Sequence, residues 1–161
     1  MAPAQTSLLA KLDTQERVRD FLTNAVTSGR ASHAYLFLGA PGAGKLDAAW
    51  ALAQAFLCEQ DGCGSCDSCV RVARHTHPDV HYYTPESATG YLIAQTRELL
   101  DDVPLAPIRA KAKVYIIDRA EQLRANTANA LLKTLEEPPE GVMFILLGTS
   151  ADVMLPTICL L

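Results

Sequence analysis

A glycine-rich loop between two apolar segments is the feature that most restricts how this chain can fold. Gly39, four residues, Gly44 and Lys45 have the spacing of a phosphate-binding loop. The residues before the loop are short and apolar, and those after it are rich in Ala and Leu without Gly or Pro, which predicts a strand, the loop and a helix. Gly39, Gly42 and Gly44 would let backbone N–H groups turn inward around a phosphate, and Lys45 would reach the β- and γ-phosphates of a nucleotide. The alternative interpretation is a glycine–proline turn that only joins strand to helix.

The residues on the metal side of this loop depart from the motif. The motif places Ser or Thr after the lysine, because its hydroxyl binds Mg²⁺, but this chain has Leu46. The second metal-linked motif is an apolar strand that ends in Asp, here Val114–Ile117 and Asp118, often followed by Glu. Arg119 follows instead, and a guanidinium cannot act as a base or orient an attacking water. Asp118 could hold Mg²⁺ through water or only cap the strand end. We therefore predict weak nucleotide binding without ATP hydrolysis.

Strands and helices alternate along the chain, and the predicted strands are apolar throughout. Such strands are buried on both faces, so the pattern predicts an α/β fold with a parallel sheet covered by helices on both sides. The predicted strands are 34–38, 80–83, 114–117 and 142–147. The predicted helices are 13–28, 46–57, 91–103 and 126–137. The first helix is expected to begin with a capping box formed by Asp13 and Glu16.

Four of the five cysteines lie close together, at Cys58, Cys63, Cys66 and Cys69. Four thiolates in this spacing can wrap one tetrahedral Zn²⁺ ion, and a complete shell of cysteines leaves no open position, which indicates a structural site. An iron–sulfur cluster is one alternative, because Cys-x2-Cys-x2-Cys also begins the bacterial ferredoxin pattern, but this chain has Ala73 where that pattern needs a further cysteine. Two disulfides are the other alternative, which a reducing compartment disfavours.

The nearby histidines and the remaining cysteine are given no metal role. His75, His77 and His81 follow the cluster, but four cysteines already complete the shell, so we predict surface positions for all three. Cys159 is isolated and is predicted to be a small apolar packing residue.

Composition places the chain among ordinary globular domains. It has 161 residues, of which 49% are hydrophobic and 20% charged, and a formal net charge of −4. This charge excludes a strongly basic nucleic-acid footprint, although it leaves a local basic patch open. No apolar run approaches the roughly 20 residues of a membrane span, and the first residues lack the pattern of a secretory signal. A cytoplasmic location is therefore expected.

Several segments together resemble the clamp-loader ATPases of bacterial DNA polymerase III, in the AAA+ superfamily. The segment 32–37 looks like the family's entry strand, and a four-cysteine zinc module just after the phosphate-loop helix is a family trait. The run from Asn129 to Pro139, which reads NALLKTLEEPP, is similar to the family's helix after the second metal motif. The segment 144–150 looks like the strand that carries the sensor-1 residue, here Thr149. The resemblance implies a three-layer α/β/α P-loop domain with a zinc-knuckle insertion.

The family contains two subunit types with this layout. The resemblance implies that the gamma/tau motor keeps intact phosphate and metal motifs, whereas the delta-prime subunit tends to have decayed ones and does not hydrolyse ATP. Leu46 and Arg119 place this chain nearer delta-prime, and the motor is the alternative. The implied partners are gamma/tau, delta and, through the complex, the sliding clamp and primer–template DNA, with no membrane partner. A P-loop kinase or transferase in which Lys45 acts on a small substrate is a more distant alternative.

The resemblance also predicts the domain organisation. Residues 1–161 are expected to form one N-terminal domain, with a zinc module at 58–69 inside it. The segment 155–158 looks like the one that leads to the family's Ser-Arg-Cys motif, but Cys159, Leu160 and Leu161 follow. The chain is therefore expected to lack that arginine, the last strand, the lid and the oligomerisation collar. Strand 34–38 would then lie at a sheet edge and favour self-association.

Overall fold

Four parallel strands form the centre of the molecule. A computed structural model describes residues 7–12 and 15–150. The strands lie in the order β1-β4-β3-β2, and each neighbouring pair is parallel. Their bounds are Ala34–Leu38 for β1, Val80–Tyr83 for β2, Lys113–Ile117 for β3 and Val142–Gly148 for β4. The parallel sheet confirms the prediction, and β1 lies at one edge of the part of the sheet that is described.

Five helices connect and cover the strands. They are α1 (Glu16–Thr27), α2 (Lys45–Leu57), α3 (Asp67–Ala73), α4 (Ile93–Asp102) and α5 (Ala125–Glu136). Short 3-10 turns occupy Leu9–Lys11 and Ala120–Gln122. Four of the helices agree with the predicted ranges within a few residues at each end, whereas α3 was not predicted. The proposed capping residue Asp13 lies outside the described residues.

The two faces of the sheet carry separate cores, which explains why the inner strands are apolar at every position. On one face, Ile116, Met143 and Ile145 pack with buried residues of α1 and α2. On the other face, Tyr115 and Phe144 pack with buried residues of α4 and α5, and their rings stack with centroids 5.3 Å apart. Alternate residues of each strand therefore enter opposite cores. The result is the three-layer α/β/α arrangement with its sheet in the middle.

This topology brings three loops to one edge of the sheet. The loops after β1, β3 and β4 leave the carboxyl ends of parallel neighbours, which is where ligands bind in open α/β sheets. Gly39, Asp118 and Thr149 each come directly after one of these strands. Among the helices described, none is long and apolar enough to cross a membrane.

Candidate functional site

A cleft of about 370 Å³ lies at this edge of the sheet. Its lining includes five of the six residues that the sequence assigned to nucleotide binding: Gly42, Gly44, Lys45, Asp118 and Thr149. The sixth, Gly39, contributes a backbone carbonyl that accepts a hydrogen bond from Lys45. The structure therefore brings residues from the glycine-rich loop, β3 and β4 together in one concave site.

The lysine of the glycine-rich loop is held at the mouth of the cleft. Lys45 Nζ donates to the carbonyl of Gly39 at 2.5 Å and to that of Gly148 at 3.0 Å. Gly42 and Gly44 have φ of +80° and +92°, in the left-handed region that favours glycine, and Gly44 is the N-cap of α2. These backbone conformations shape the loop, and the N-terminal end of α2 faces the cleft with its free N–H groups. The arrangement can bind an anion of phosphate type.

The metal side of the cleft is different. Leu46 lines it and has no oxygen to offer. Asp118 already has partners for both carboxylate oxygens: Tyr82 donates its hydroxyl to Oδ2 at 2.8 Å, and the Arg119 N–H donates to Oδ1 at 2.9 Å. The residues present therefore do not fit the Mg²⁺ site of the motif. Tyr82 was not predicted, because only the strand register places it beside Asp118.

The turn that carries Asp118 is fixed from behind by a buried tyrosine. The Tyr91 hydroxyl donates toward the carbonyls of Asp118 and Tyr83, the latter at 2.9 Å. Burial raises the pKa of Tyr91, so this phenol stays a donor. Gly90 has φ of +125°, and a Cβ there would lie 2.8 Å from the carbonyl oxygen of Gln122. Any side chain at position 90 would therefore push against the turn.

The four predicted cysteines converge at a second site, away from the cleft. Their Sγ atoms all lie within 4.8 Å of one another, and three of the separations are 3.7, 3.8 and 4.0 Å. A tetrahedral ion with metal–sulfur bonds of about 2.3 Å needs sulfur atoms about 3.8 Å apart. The four cysteines are free, and their separations are far from the roughly 2.05 Å of a disulfide. The cluster could bind one metal ion, and its geometry fits zinc.

Local backbone structure prepares this cluster. Cys58 ends α2, and Cys66 is the N-cap of α3, where its sulfur accepts the N–H of Cys69 at 3.4 Å. The Cys63 N–H likewise points at the sulfur of Cys58, and the Cys66 N–H at that of Cys63. Such N–H groups stabilise thiolates, which are the form that binds a metal.

The surroundings of the four thiols lower the pKa of two of them and raise the pKa of the other two. The backbone N–H of Ser65, followed by its hydroxyl and the Cys66 N–H, lowers the pKa of Cys63 to about 6. Burial opposes ionisation of Cys58, but the N–H groups of Cys63, Gln60 and Gly62 outweigh it and lower the pKa of Cys58. Burial raises the pKa of Cys66 and of Cys69. A bound cation would favour the thiolate form of all four.

His77 is buried, which corrects the prediction that all three histidines lie on the surface. His77 is only 4% exposed: its Nδ1 accepts the Asp79 N–H at 3.0 Å, so Nε2 donates to the hydroxyl of Ser68 at 3.3 Å. These two partners satisfy the ring inside the protein, and burial lowers the pKa of His77. His77 thereby connects α3 to the start of β2.

Of the other two histidines, His75 precedes β2 and His81 lies within it. His75 is exposed, as predicted, and stacks on the indole of Trp50 with ring centroids 3.9 Å apart. His81 is half-buried, stacks on Tyr115, and has Nε2 3.3 Å from the carboxylate of Asp102. Neither belongs to the group of close metal-ligating side chains, which consists of the four cysteines alone in the described part of the chain.

A buried carboxylate connects the cysteine module to the rest of the domain. Asp79 is 0% exposed and accepts the backbone N–H groups of Ile108, Arg109 and Ala110 at 2.6 to 2.7 Å. Burial alone would raise the pKa of Asp79, but these three donors hold it below its ordinary value. The Arg109 guanidinium in turn donates to Asp67 of α3 at 2.8 Å. Asp79 therefore fixes the loop before β3, and that loop contacts α3.

Comparison with known proteins gives a consistent result. The family described as DNA polymerase III, delta subunit, matches residues 14–159. DNA polymerase III subunit delta' of Bacillus subtilis is 40% identical over 149 residues, which cover 91% of this chain and 45% of that protein. DNA polymerase III subunit tau of Escherichia coli is 42% identical over 148 residues, or 89% of this chain and 23% of that protein. The chain thus spans less than half the length of these relatives.

Solved structures agree on the fold. A DNA polymerase III gamma subunit-related protein from Thermotoga maritima superposes with a TM-score of 0.61 at 21% identity, covering 87% of this chain and 42% of that one. The RuvB Holliday junction branch migration motor from the same organism gives 0.55 at 18% identity, covering 96% of this chain and 45% of the motor. These likenesses establish a P-loop fold of the AAA+ type. Together with the sequence matches, they show that the chain belongs to the DNA polymerase III delta-subunit family of AAA+ clamp-loader proteins.

Proposed function

We propose that this chain is a delta-prime-type clamp-loader subunit, which binds nucleotide weakly, does not hydrolyse it, and serves as a structural partner in loading the sliding clamp onto primed DNA. Its partners in this role are gamma/tau and delta, with the clamp and primer–template DNA contacted through the complex. Residues 1–161 act as an N-terminal AAA+ domain, with a structural zinc module at 58–69. The proposal places the protein in the cytoplasm, at DNA replication.

The composition of the cleft is the observation that supports this role. The phosphate side retains Gly42, Gly44 and Lys45, whereas the metal side has Leu46 and Arg119. A hydrolysing site needs a positioned Mg²⁺ ion and a group that orients the attacking water. Neither Leu46 nor Arg119 supplies these functions, so the cleft can hold phosphates better than it can cleave them.

The gamma/tau-type motor remains the alternative role within the family. The similarity to the tau relative, at 42% identity, is no lower than the similarity to the delta' relative, at 40%. Overall identity therefore does not separate the two roles, and Leu46 and Arg119 are the residues that favour delta-prime. Because the chain belongs to the clamp-loader family, the kinase or transferase interpretation is set aside.

Nucleotide binding is tested by replacing the loop lysine. Lys45→Ala should weaken ADP binding about 10- to 100-fold, because it removes charge-assisted hydrogen bonds to phosphate worth about 1.5–3 kcal/mol. Isothermal titration calorimetry measures the change, with Lys133→Ala, an exposed lysine on α5, as the matched control. Equal affinity in the two variants would show that the cleft is not the nucleotide site.

The absence of hydrolysis is tested in the assembled complex, because the arginine that completes such sites comes from a neighbouring subunit. Lys45→Ala in this chain should leave the ATPase rate of a reconstituted clamp loader unchanged. Leu46→Thr combined with Arg119→Glu should improve Mg–ATP binding by the isolated chain but leave turnover near background, since an arginine finger contributes roughly 10³–10⁵ in rate. Robust Mg²⁺-dependent hydrolysis by the unmodified chain would instead favour the motor.

A further inference from the structure

The cleft is lined by two cationic side chains, Lys45 and Arg119, and by the carboxylate of Asp118, whose oxygens both accept hydrogen bonds from the protein. In the P-loop motif, Mg²⁺ carries part of the charge that neutralises the phosphates, and the strand-end Asp holds it through water. Here that Asp is Asp118, and it has a protein donor on each oxygen. The position that follows it carries Arg119, a fixed positive charge that lines the same cleft as Lys45.

Tyr82 is held in place to make its hydrogen bond to Asp118. In the β2–β3 register Tyr82 pairs with Ile116, and Asp118 lies two residues further along, on the same face of the sheet. The Tyr82 ring lies 6.0 Å from the ring of Trp50, which is itself buried on α2 and stacked on His75. The Tyr82 side chain is 39% exposed, and its hydroxyl donates to Oδ2 at 2.8 Å.

Arg119 is available to a ligand. Its backbone is left-handed, with φ of +47°, and its side chain is exposed at the rim of the cleft. It makes no ion pair with another side chain in the described part of the chain. A guanidinium offers a planar pair of donors that matches two phosphate oxygens. Asp47 and Glu121 also line the cleft, and their negative charges favour weak rather than tight binding.

We propose that the cleft binds nucleoside di- and triphosphates without Mg²⁺, with Arg119 and Lys45 neutralising the phosphates while the Tyr82 hydroxyl keeps Asp118 from holding a hydrated metal ion. This inference rests on the proposed function, since it specifies the ligand state of the same site. The protein thus supplies in Arg119 a charge that the metal supplies elsewhere.

The first arm of the test compares ADP affinity with and without Mg²⁺. Calorimetry on the purified chain should give dissociation constants in excess Mg²⁺ and in EDTA that agree within about threefold, a difference below about 0.7 kcal/mol. Arg119→Ala should weaken binding about tenfold in EDTA, the lower end for loss of a charge-assisted contact. Arg124→Ala, an exposed arginine outside the cleft lining, is the matched control and should change the constant less than twofold.

The second arm of the test removes the hydrogen bond that Tyr82 donates to Asp118. Tyr82→Phe keeps the ring packing against Trp50 but removes the hydroxyl that donates to Asp118. ADP should then bind at least about fivefold more tightly in Mg²⁺ than in EDTA. Tyr83→Phe is the matched control, since the Tyr83 hydroxyl makes no hydrogen bond to any described residue, and it should remain insensitive to Mg²⁺. Thermal unfolding of each variant checks that the fold is intact.

The outcomes separate this inference from the function on which it rests. If no variant and no condition gives ADP binding, the proposed nucleotide site is wrong. If the unmodified chain binds ADP at least tenfold more tightly in Mg²⁺, the site stands but the inference is overturned. Glu121 would then be the candidate ligand for Mg²⁺, because its Oε2 is buried without a hydrogen-bond partner among the described residues. Loss of the Mg²⁺ dependence of ADP binding in Glu121→Gln would identify it as that ligand. If Tyr82→Phe and Tyr83→Phe behave alike, the role of Tyr82 is wrong.

Discussion

Removal of metal from the cysteine cluster should lower the midpoint of thermal unfolding by about 10 °C or more. Zinc binding contributes about 10–16 kcal/mol of apparent free energy in small zinc-finger peptides, and part of this is folding free energy. Even a third of it would shift the midpoint of a domain of this size by about 10 °C, at roughly 2–4 °C per kcal/mol. Helix α3 has only seven residues and cannot persist by itself, so an ion that joins Cys66 and Cys69 to Cys58 would add to the contacts that hold α3 on α2. Differential scanning calorimetry with and without a strong chelator measures the shift.

Composition of the metal site is measured separately. Elemental analysis should find about one zinc and no iron per chain, because the sulfur separations fit a single tetrahedral ion. Cys66→Ser should reproduce the effect of the chelator, whereas Glu59→Gln, an exposed residue beside the cluster, should not. Iron with inorganic sulfide would contradict the zinc assignment. An unfolding midpoint that does not respond to the chelator would contradict the structural role.

The layer architecture could be predicted because its signals are local. Fully apolar strands such as 142–147 can only be buried on both faces, and the loop Gly39–Lys45 requires a strand before it and a helix after it. The cysteine cluster could be predicted for a similar reason, since four cysteines within one short segment can converge with little help from the rest of the chain. Metal-ligand spacing is a property of the sequence itself.

Features that depend on distant partners could not be predicted. A polar residue next to proline, such as His77, is normally exposed, and only contacts with Ser68 and the Asp79 N–H make its burial tolerable. Tyr82 resembles any strand aromatic until the register places it diagonally opposite Asp118. Helix α3 is too short for a periodic pattern, and its N-cap is Cys66 of the cysteine cluster, so its sequence indicates a metal-binding pattern rather than a helix.

Asp79 is the clearest of these long-range features, and Asp79→Ala should destabilise the domain by about 3 kcal/mol or more. The substitution removes the fully buried carboxylate that accepts three backbone N–H groups, those of Ile108, Arg109 and Ala110. A hydrogen bond to a charged group contributes about 1.5–3 kcal/mol, and three of them are lost together. The unfolding midpoint should fall by about 6–12 °C at roughly 2–4 °C per kcal/mol. Chemical denaturation measures the free energy, with Asp101→Ala, an exposed aspartate on α4, as the matched control.

The contribution of Asp79 should also depend on pH, in a direction that its environment determines. The three N–H donors hold the pKa of Asp79 below its ordinary value, so the folded state binds this proton less readily than the unfolded state. The stabilising contribution is therefore complete above the ordinary aspartate pKa of about 3.9 and is lost as the pH falls through the lower folded-state pKa. The difference in the free energy of unfolding between the unmodified chain and Asp79→Asn should be constant from pH 6 to 7. It should be at least as large as the free energy of one charge-assisted hydrogen bond, and it should shrink below about pH 4. A difference that stays the same at low pH would show that shape, not charge, holds the loop. Equal stability of Asp79→Ala and Asp101→Ala would show that the loop before β3 does not need this anchor.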